Sequence, residues 1–436
     1  MNLNMNLGRR GGADIVGLDV QPGFVAAVKA RVNGSVVAEQ AACLPLPADA
    51  VRDGEVMDQD ALGDVLRELF ASSGLSKRVR VGVANQRTVL RTIELPPITD
   101  RKELAAAVNF QAQEQVPMPL ANAVLDFHPL GVIDTPAGPR QRVVLVAAQR
   151  DMVEKLLAAV RRAGLTVEGV DLSAFALIRS LYRRDPDATD DAMGRVLYLN
   201  VDGLTNLAIA EGTVCRFTRV VGSGLEGMAV ELAERRGIAL VDARALLAEV
   251  DMTVAPPAPP APAPAVEPPV EPAPVAEIPA HEALAGGEPH DGPLAAEPGA
   301  SADEMPLPLP APVLAETHEE HEVSYEELVA VGDAGAGAGE ADAEVLGVVE
   351  NGVRDISGEV RNSLDFHRSQ EGGGDVSHII LSGSAQDIPG FAEALQSSLG
   401  VEVRSAELNF AEGQLDGASP HRLAVAAGLA TLEAPQ

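Results

Sequence analysis

The chain carries one pattern twice, far apart: strand, tight turn, strand, tight turn, strand. The first copy reads as strands at 14–20, 24–30 and 35–42, joined by a Gln21-Pro22-Gly23 turn and an Asn33-Gly34 turn. The second reads as strands at 196–201, 204–210 and 213–221, joined by Asp202-Gly203 and Glu211-Gly212. Glycine supplies the positive φ that such tight turns need, so these dipeptides are hairpin signals. Each copy opens on an apolar run that ends in a polar residue, Asp19 or Asn200. A unit present twice predicts two similar lobes facing each other. Folds on that plan often hold a phosphate between the two first turns.

The rest of the chain supplies helices and single strands. Leu62, Val65, Leu66, Leu69 and Phe70 recur at helical spacing, which predicts a helix over 58–73 with Asp58 as N-cap and Gly74 as its stop. Strands are expected at 79–84 and 88–95, the second ended by Pro96-Pro97, which offer no ladder N–H. A helix capped by Thr99 should run to about Gln115, followed by strands at 123–130 and 141–149. Then come a helix at 151–163, a strand at 165–170, a helix at 173–183 and a polar hinge at 184–194. Beyond the second copy, helices are expected at 225–236, 242–249, 346–367 and 389–399. Strands are expected at 377–382 and 401–404, with an Ala-rich closing helix at 419–432. Strands alternating with helices predict an α/β architecture. The expected layout is a first lobe at 13–84, an inserted subdomain at 85–165, the lobe's return and hinge at 166–194, a second lobe at 195–250, an insert at 251–343, and the second lobe's completion at 344–432.

The 251–343 insert follows from charge and proline. From Asp251 to Val353 there are 21 acidic residues and no Lys or Arg, against 64 acidic and 33 basic in the whole chain, so about two thirds of the excess negative charge lies there. Pro256 to Pro312 holds 18 of the 32 prolines, too many for a packed core, so the insert is expected to be a disordered acidic tether, partly polyproline II. The Gly-Ala repeat at 334–339 should be its flexible tail, with order resuming near Ala343. Elsewhere the chain is mildly acidic, so no nucleic-acid partner is expected. With no Trp and 3 Tyr, the core must be aliphatic. Cys43 and Cys215, the 2 cysteines, are expected to be buried free thiols in a reducing compartment. No apolar run approaches the ~20 residues that span a bilayer, and the N-terminal residues lack the apolar core of a signal peptide. A cytosolic protein without direct membrane insertion is expected.

Two chemistries are set aside. His318 and His321 stand at i, i+3 in an acidic run, whereas a zinc-protease helix needs i, i+4, so a solvated acidic stretch is expected. Ser173, Ser223 and Ser384 have no histidine that the sequence brings near, so no nucleophile–base set is expected.

Several separated motifs carry a family resemblance: Val16-Gly-Leu-Asp-Val20, then Leu90-Arg-Thr-Ile-Glu-Leu-Pro-Pro97, Glu103-Leu104, Gln111-Ala-Gln-Glu-Gln-Val-Pro-Met-Pro119 and Asp126, then 226–248 and Leu364-Asp-Phe366. In this order they resemble the PilM family of type IV pilus assembly proteins, and more distantly the cell-division protein FtsA. The resemblance covers roughly 13–250 and 344–432. It implies a two-lobed actin-like (ribonuclease H-like, duplicated) α/β fold with an inserted subdomain. It also implies a groove that docks the N-terminal peptide of membrane-anchored PilN. The cytoplasmic chain would then sit at the inner face of the membrane through that partner, beside the pilus inner-membrane assembly complex and motor ATPases.

The same resemblance puts a nucleotide cleft at Asp19, Gly23, Asn200, Asp202, Gly383 and Ser384. Here the chain departs from the family. Where small hydroxyl residues and a Lys are usual after the first strand, it has Gln21, Pro22, Gly23, Phe24 and Ala26. Where the second turn usually has an Asp, it has Asn200. A charge-assisted hydrogen bond to phosphate is worth roughly 1.5–3 kcal/mol, and several are missing, so ATP and Mg2+ are expected to bind weakly or not at all. The expectation is a scaffold with a degenerate site; an active actin-like ATPase and an FtsA-like protein are the alternatives. Against the last, 423–432 lacks the basic residues of an amphipathic membrane helix.

Overall fold

A computed structural model describes residues 14–183, 194–253, 336–370, 372–411 and 419–432. The 184–193 part of the expected hinge, most of the acidic insert, and His318 and His321 lie outside the described residues.

The first copy folds as an antiparallel meander, β1 (Val16–Gln21), β2 (Phe24–Asn33) and β3 (Ser35–Pro45). Gln21 pairs with Phe24, so the first turn is Pro22-Gly23, and Gly23 takes a φ of 90°. A small ribbon, β4 (Val51–Arg52) and β5 (Glu55–Val56), leads into α1 (Gln59–Ser73). Asp58 caps α1 by accepting from the amides of Asp60 and Ala61, and Gly74 ends it in the left-handed conformation. β6 (Arg78–Val83) then pairs parallel to β1.

An extra sheet follows: β7 (Val89–Leu95), α2 (Arg101–Gln115), β8 (Ala123–Thr135) and β9 (Gly138–Gln149), with β9 in the middle. Leu104, Val108 and Ala112 of α2 cover Ile93, Leu95, Val143 and Leu145 on one face. The opposite face presents Leu90, Val144 and Val146 to Leu172 and Leu177. The N-cap of α2 is Asp100, not Thr99, because the Asp100 carboxylate reaches the amides of Lys102 and Glu103, both at 2.9 Å. β8 and β9 also run further than expected, narrowing the turn between them to Pro136-Ala137. α3 (Arg150–Arg162) packs on α1 in the first-lobe core. β10 (Thr166–Leu172) returns parallel to β6, and α4 (Ser173–Leu181) leads away.

The second copy repeats the meander with β11 (Arg195–Val201), β12 (Thr205–Glu211) and β13 (Val214–Val221). α5 (Leu225–Arg236), α6 (Leu240–Glu249) and α7 (Ala336–Ser369) follow. β14 (Val376–Ser382) lies parallel to β11, as β6 does to β1. α8 (Phe391–Leu399) and β15 (Val403–Ser405) complete this lobe. The helix α7 begins at Ala336, so 336–339 is helical rather than a flexible tail. Its nucleus is the buried stripe Val345, Val349, Val353, Ile356, Val360 and Leu364, and extending a formed helix is far easier than starting one.

The chain then crosses back, so residues from 408 on pack with the first lobe instead of completing the second as expected. β16 (Asn409–Phe410), a two-residue strand too short to leave a periodic signal, joins the edge of β3. The expected closing helix divides into a 3-10 turn, Pro420–Leu423, and α9 (Ala424–Ala430). α9 is wedged between β1, β2 and α4, which explains its small side chains. A Cβ on Gly17 would lie 1.8 Å from the Ala426 carbonyl oxygen, and one on Gly428 would lie 1.9 Å from that of Ala176. Cys43 and Cys215 are both free, but only the latter is buried.

Backbone atoms cannot yield as side-chain ends do. Gly17→Ala is therefore expected to destabilise the fold by about 3 kcal/mol or more, read as a lowered urea midpoint. An unchanged midpoint would show that α9 does not lie tightly on β1.

A buried carboxylate pair between the two first turns

The duplicated strands β1 and β11 bring their polar ends to one place. Asp19 and Asp202 are each only 1% exposed, and they interact electrostatically. Asp19, near the end of β1, accepts from the Gln21 side-chain amide at 3.2 and 3.3 Å. Asp202, in the turn after β11, accepts from the Ser384 amide at 2.8 Å and the Ser384 hydroxyl at 2.6 Å through Oδ1. Its Oδ2 accepts from the Asn200 amide at 3.1 Å. Gly383 makes this possible. At φ 95° it passes against the backbone of Val201, where a Cβ would lie 2.3 Å from the carbonyl oxygen. Ser384 thus directs both of its donors to Asp202.

The charges are not balanced locally. Burial, then the charge of Asp202, pushes the Asp19 carboxyl up to about 7, with the Gln21 amide partly opposing. Burial also raises Asp202, opposed first by Arg422 and then by its hydrogen bonds to Ser384 and Asn200. The buried Gln21 Oε1, Ser173 Oγ and Ser382 Oγ have no hydrogen-bond partner.

Three further groups at this seam had no sequence signal. Glu226, in the first turn of α5, sits against Gly23, where a Cβ would fall 2.6 Å from its Oε2. Arg244 of α6 binds Glu226 through two of its three nitrogens, with Nε donating to Oε2 at 2.9 Å and Nη2 donating to Oε1. Arg422 lies over the Phe24 ring, its Cζ 4.4 Å from the centroid. The two first turns themselves touch: a Cβ on Gly203 would lie 2.2 Å from the Pro22 carbonyl oxygen. Beside this junction opens a cavity of about 450 Å³, bounded by Phe24, Leu225, Arg244, Ile388 and Arg422.

Of the six residues singled out from sequence, Asp19, Gly23, Asn200, Asp202, Gly383 and Ser384 all come to this seam. The arginines beside the cavity are Arg244, paired to Glu226, and Arg422. Among the described residues, no three or more His, Cys, Asp or Glu side chains gather as metal ligands.

Comparison with known proteins extends the picture. The family model described as type IV pilus assembly protein PilM matches residues 17–244. The chain is similar to a solved PilM-PilN type IV pilus biogenesis complex, at 18% identity and a TM-score of 0.62, covering 96% of this chain and 98% of that one. It is also similar to the ethanolamine utilization protein EutJ from Carboxydothermus hydrogenoformans, at 12% identity and a TM-score of 0.45, covering 97% and 91% of the two chains. A third similar structure is MreB5 of Spiroplasma citri bound to ADP, at 10% identity and a TM-score of 0.40, covering 95% and 94%. At 18% identity the likeness to the PilM-PilN complex is one of fold.

The Asp19 carboxyl gives a pH test. Its folded value is raised above its unfolded one, so folding binds the proton. Stability from this group is present below about 4 and is lost as pH rises to about 7. Asp19→Asn removes that loss. Its stability relative to the parent should grow by on the order of 2 kcal/mol between pH 5 and pH 8 in urea melts. A difference that stays flat with pH contradicts the assignment.

Proposed function

Because this chain belongs to the family of the type IV pilus assembly protein PilM, we propose that it acts as a docking scaffold rather than a nucleotide-driven machine. Its fold is the two-lobed actin-like α/β fold that the duplicated unit predicts. In this reading it holds the N-terminal peptide of a PilN-like membrane-anchored partner and helps couple motor ATPases to fibre assembly.

The observation that carries the reading is the direct abutment of the two first turns. A magnesium triphosphate bound between them needs open backbone donors, a cation and free carboxylates to organise metal-bound water. Pro22 offers no N–H, its carbonyl abuts Gly203, and the Glu226 carboxylate lies against Gly23. Burial and the charge of Asp202 push the Asp19 carboxyl well above the usual carboxylate range, and Asp202 is already held by Ser384 and Asn200. These residues do not fit the group.

The docking half of the reading rests on a small cavity of about 40 Å³ between the extra sheet and the first lobe, at the foot of two edge strands. β8 and β10 are both edge strands, and residues from both line it. Its apolar floor includes Val83, Val146, Ala148 and Val153. An extended peptide can add to such an edge through its backbone while apolar side chains fill the floor. The solved complex of a similar fold contains PilN, which supports a PilN-like partner here. Among the described residues no helix is long and apolar enough to cross a membrane, so attachment to the inner face of the membrane is assigned to that partner.

Calorimetric titration with the N-terminal peptide of the PilN-like partner should give saturable binding with a Kd of about 1–10 μM. Val124→Glu, on the half-buried wall of β8, should weaken it about tenfold or more by burying a charge in the cavity. No heat at high micromolar peptide would sink the docking reading. Magnesium-dependent ATP turnover that is lost in Asp19→Ala would sink the other half.

A further inference from the structure

We propose that the two lobes are held closed across the seam by the protein's own side chains, with Arg422 and Arg244 as reciprocal bridges. The proposal rests on the nucleotide-free reading of the cleft. It adds a specific internal device that takes over the joining of the lobes.

Each arginine starts in one lobe and ends in the other. Arg422 belongs to the 3-10 turn Pro420–Leu423 that leads into α9, and α9 packs on β1, β2 and β6 of the first lobe. Its guanidinium covers Phe24 of that lobe, while its Nε lies 3.9 Å from Asp202 Oδ1 of the second. That distance is too long for a hydrogen bond, and the buried Nε has no other acceptor, so the link is Coulombic. The charge matters because Asp202 is 1% exposed and its neighbour Asp19 is also acidic. A buried carboxylate stripped of its counter-charge is strongly destabilising.

Arg244 runs the other way. It stands on α6 of the second lobe, is fixed there by Glu226, and donates Nη1 to the Leu46 carbonyl of the first lobe at 3.3 Å. Leu46 in turn donates its amide to the Gly23 carbonyl at 2.8 Å, so this bridge ends on the first turn itself. Glu226 closes the same corner from above Gly23. Pro22, Gly23 and Gly203 are therefore pinned from both sides by two cations, without a ligand.

Hydrogen exchange on the full chain tests this at residues 20–26 and 200–206. Arg422→Gln and Arg244→Gln should each raise exchange at both turns about fivefold or more, with residues 207–211 of β12 unchanged. Arg422→Lys, which keeps the charge and loses the flat stacking surface, should fall between them and the parent. Arg67→Gln, which removes an exposed pair with Asp64 and a long bond to the Arg162 carbonyl, both away from the seam, should leave both turns as they are. If both glutamine variants exchange like the parent, the bridges do not hold the lobes. If millimolar Mg2+-ATP slows exchange at the parent's turns, the nucleotide-free reading fails instead. Should Arg422→Gln not fold, Arg244→Gln and Arg422→Lys decide the matter.

Discussion

The seam between the lobes is organised by two carboxylates that the fold has taken out of water. Asp19 lies near the end of β1 and Asp202 in the turn after β11, and the charge of Asp202 bears on Asp19. Charges of one sign at close range in a dry site cannot both be stable unaided. The surrounding residues answer that constraint. Gln21 donates to one carboxylate, Ser384 and Asn200 donate to the other, and Arg422 approaches from the side. Gly383 is bent to let Ser384 reach, and Gly203 is bare so that Pro22 can close over it. The cleft is shaped by the need to settle this pair.

Much of this was readable from the chain. The twin strand–turn units, the helix capped by Asp58 and the helix over 346–367 follow from local periodicity and turn chemistry. All six residues taken from the family pattern meet at one seam. What could not be read depends on interactions between distant segments. Arg422 meets Asp202 only because α9 crosses back over β1, and Arg244 meets Leu46 only because α6 leans on the first lobe. The helical start of α7 at Ala336 was hidden by its glycines, since composition argued for a loop while the downstream core dictated a helix. The N-cap shifted from Thr99 to Asp100 because two adjacent residues both suit a cap, and only geometry separates them.

The closing helix gives the clearest case of sequence texture explained by packing. From sequence it is only an Ala-rich closing helix without the basic residues of a membrane-binding one. Its Ala and Gly residues are the side chains a helix must have when it lies directly on a strand on one side and on α4 on the other. The same close approach carries Arg422 to the seam, so the packing of α9 and the chemistry of the cleft are one arrangement.

In the proposed arrangement the lobes are joined by protein groups, with no nucleotide between them. The most direct measurement is the melting temperature of the full chain with and without millimolar Mg2+-ATP. A ligand present at about 100 times its Kd adds roughly 2.7 kcal/mol of stability, a rise of several degrees for a domain of ordinary size. The account predicts no such rise. A rise of several degrees that depends on magnesium and disappears in Asp19→Ala would contradict it.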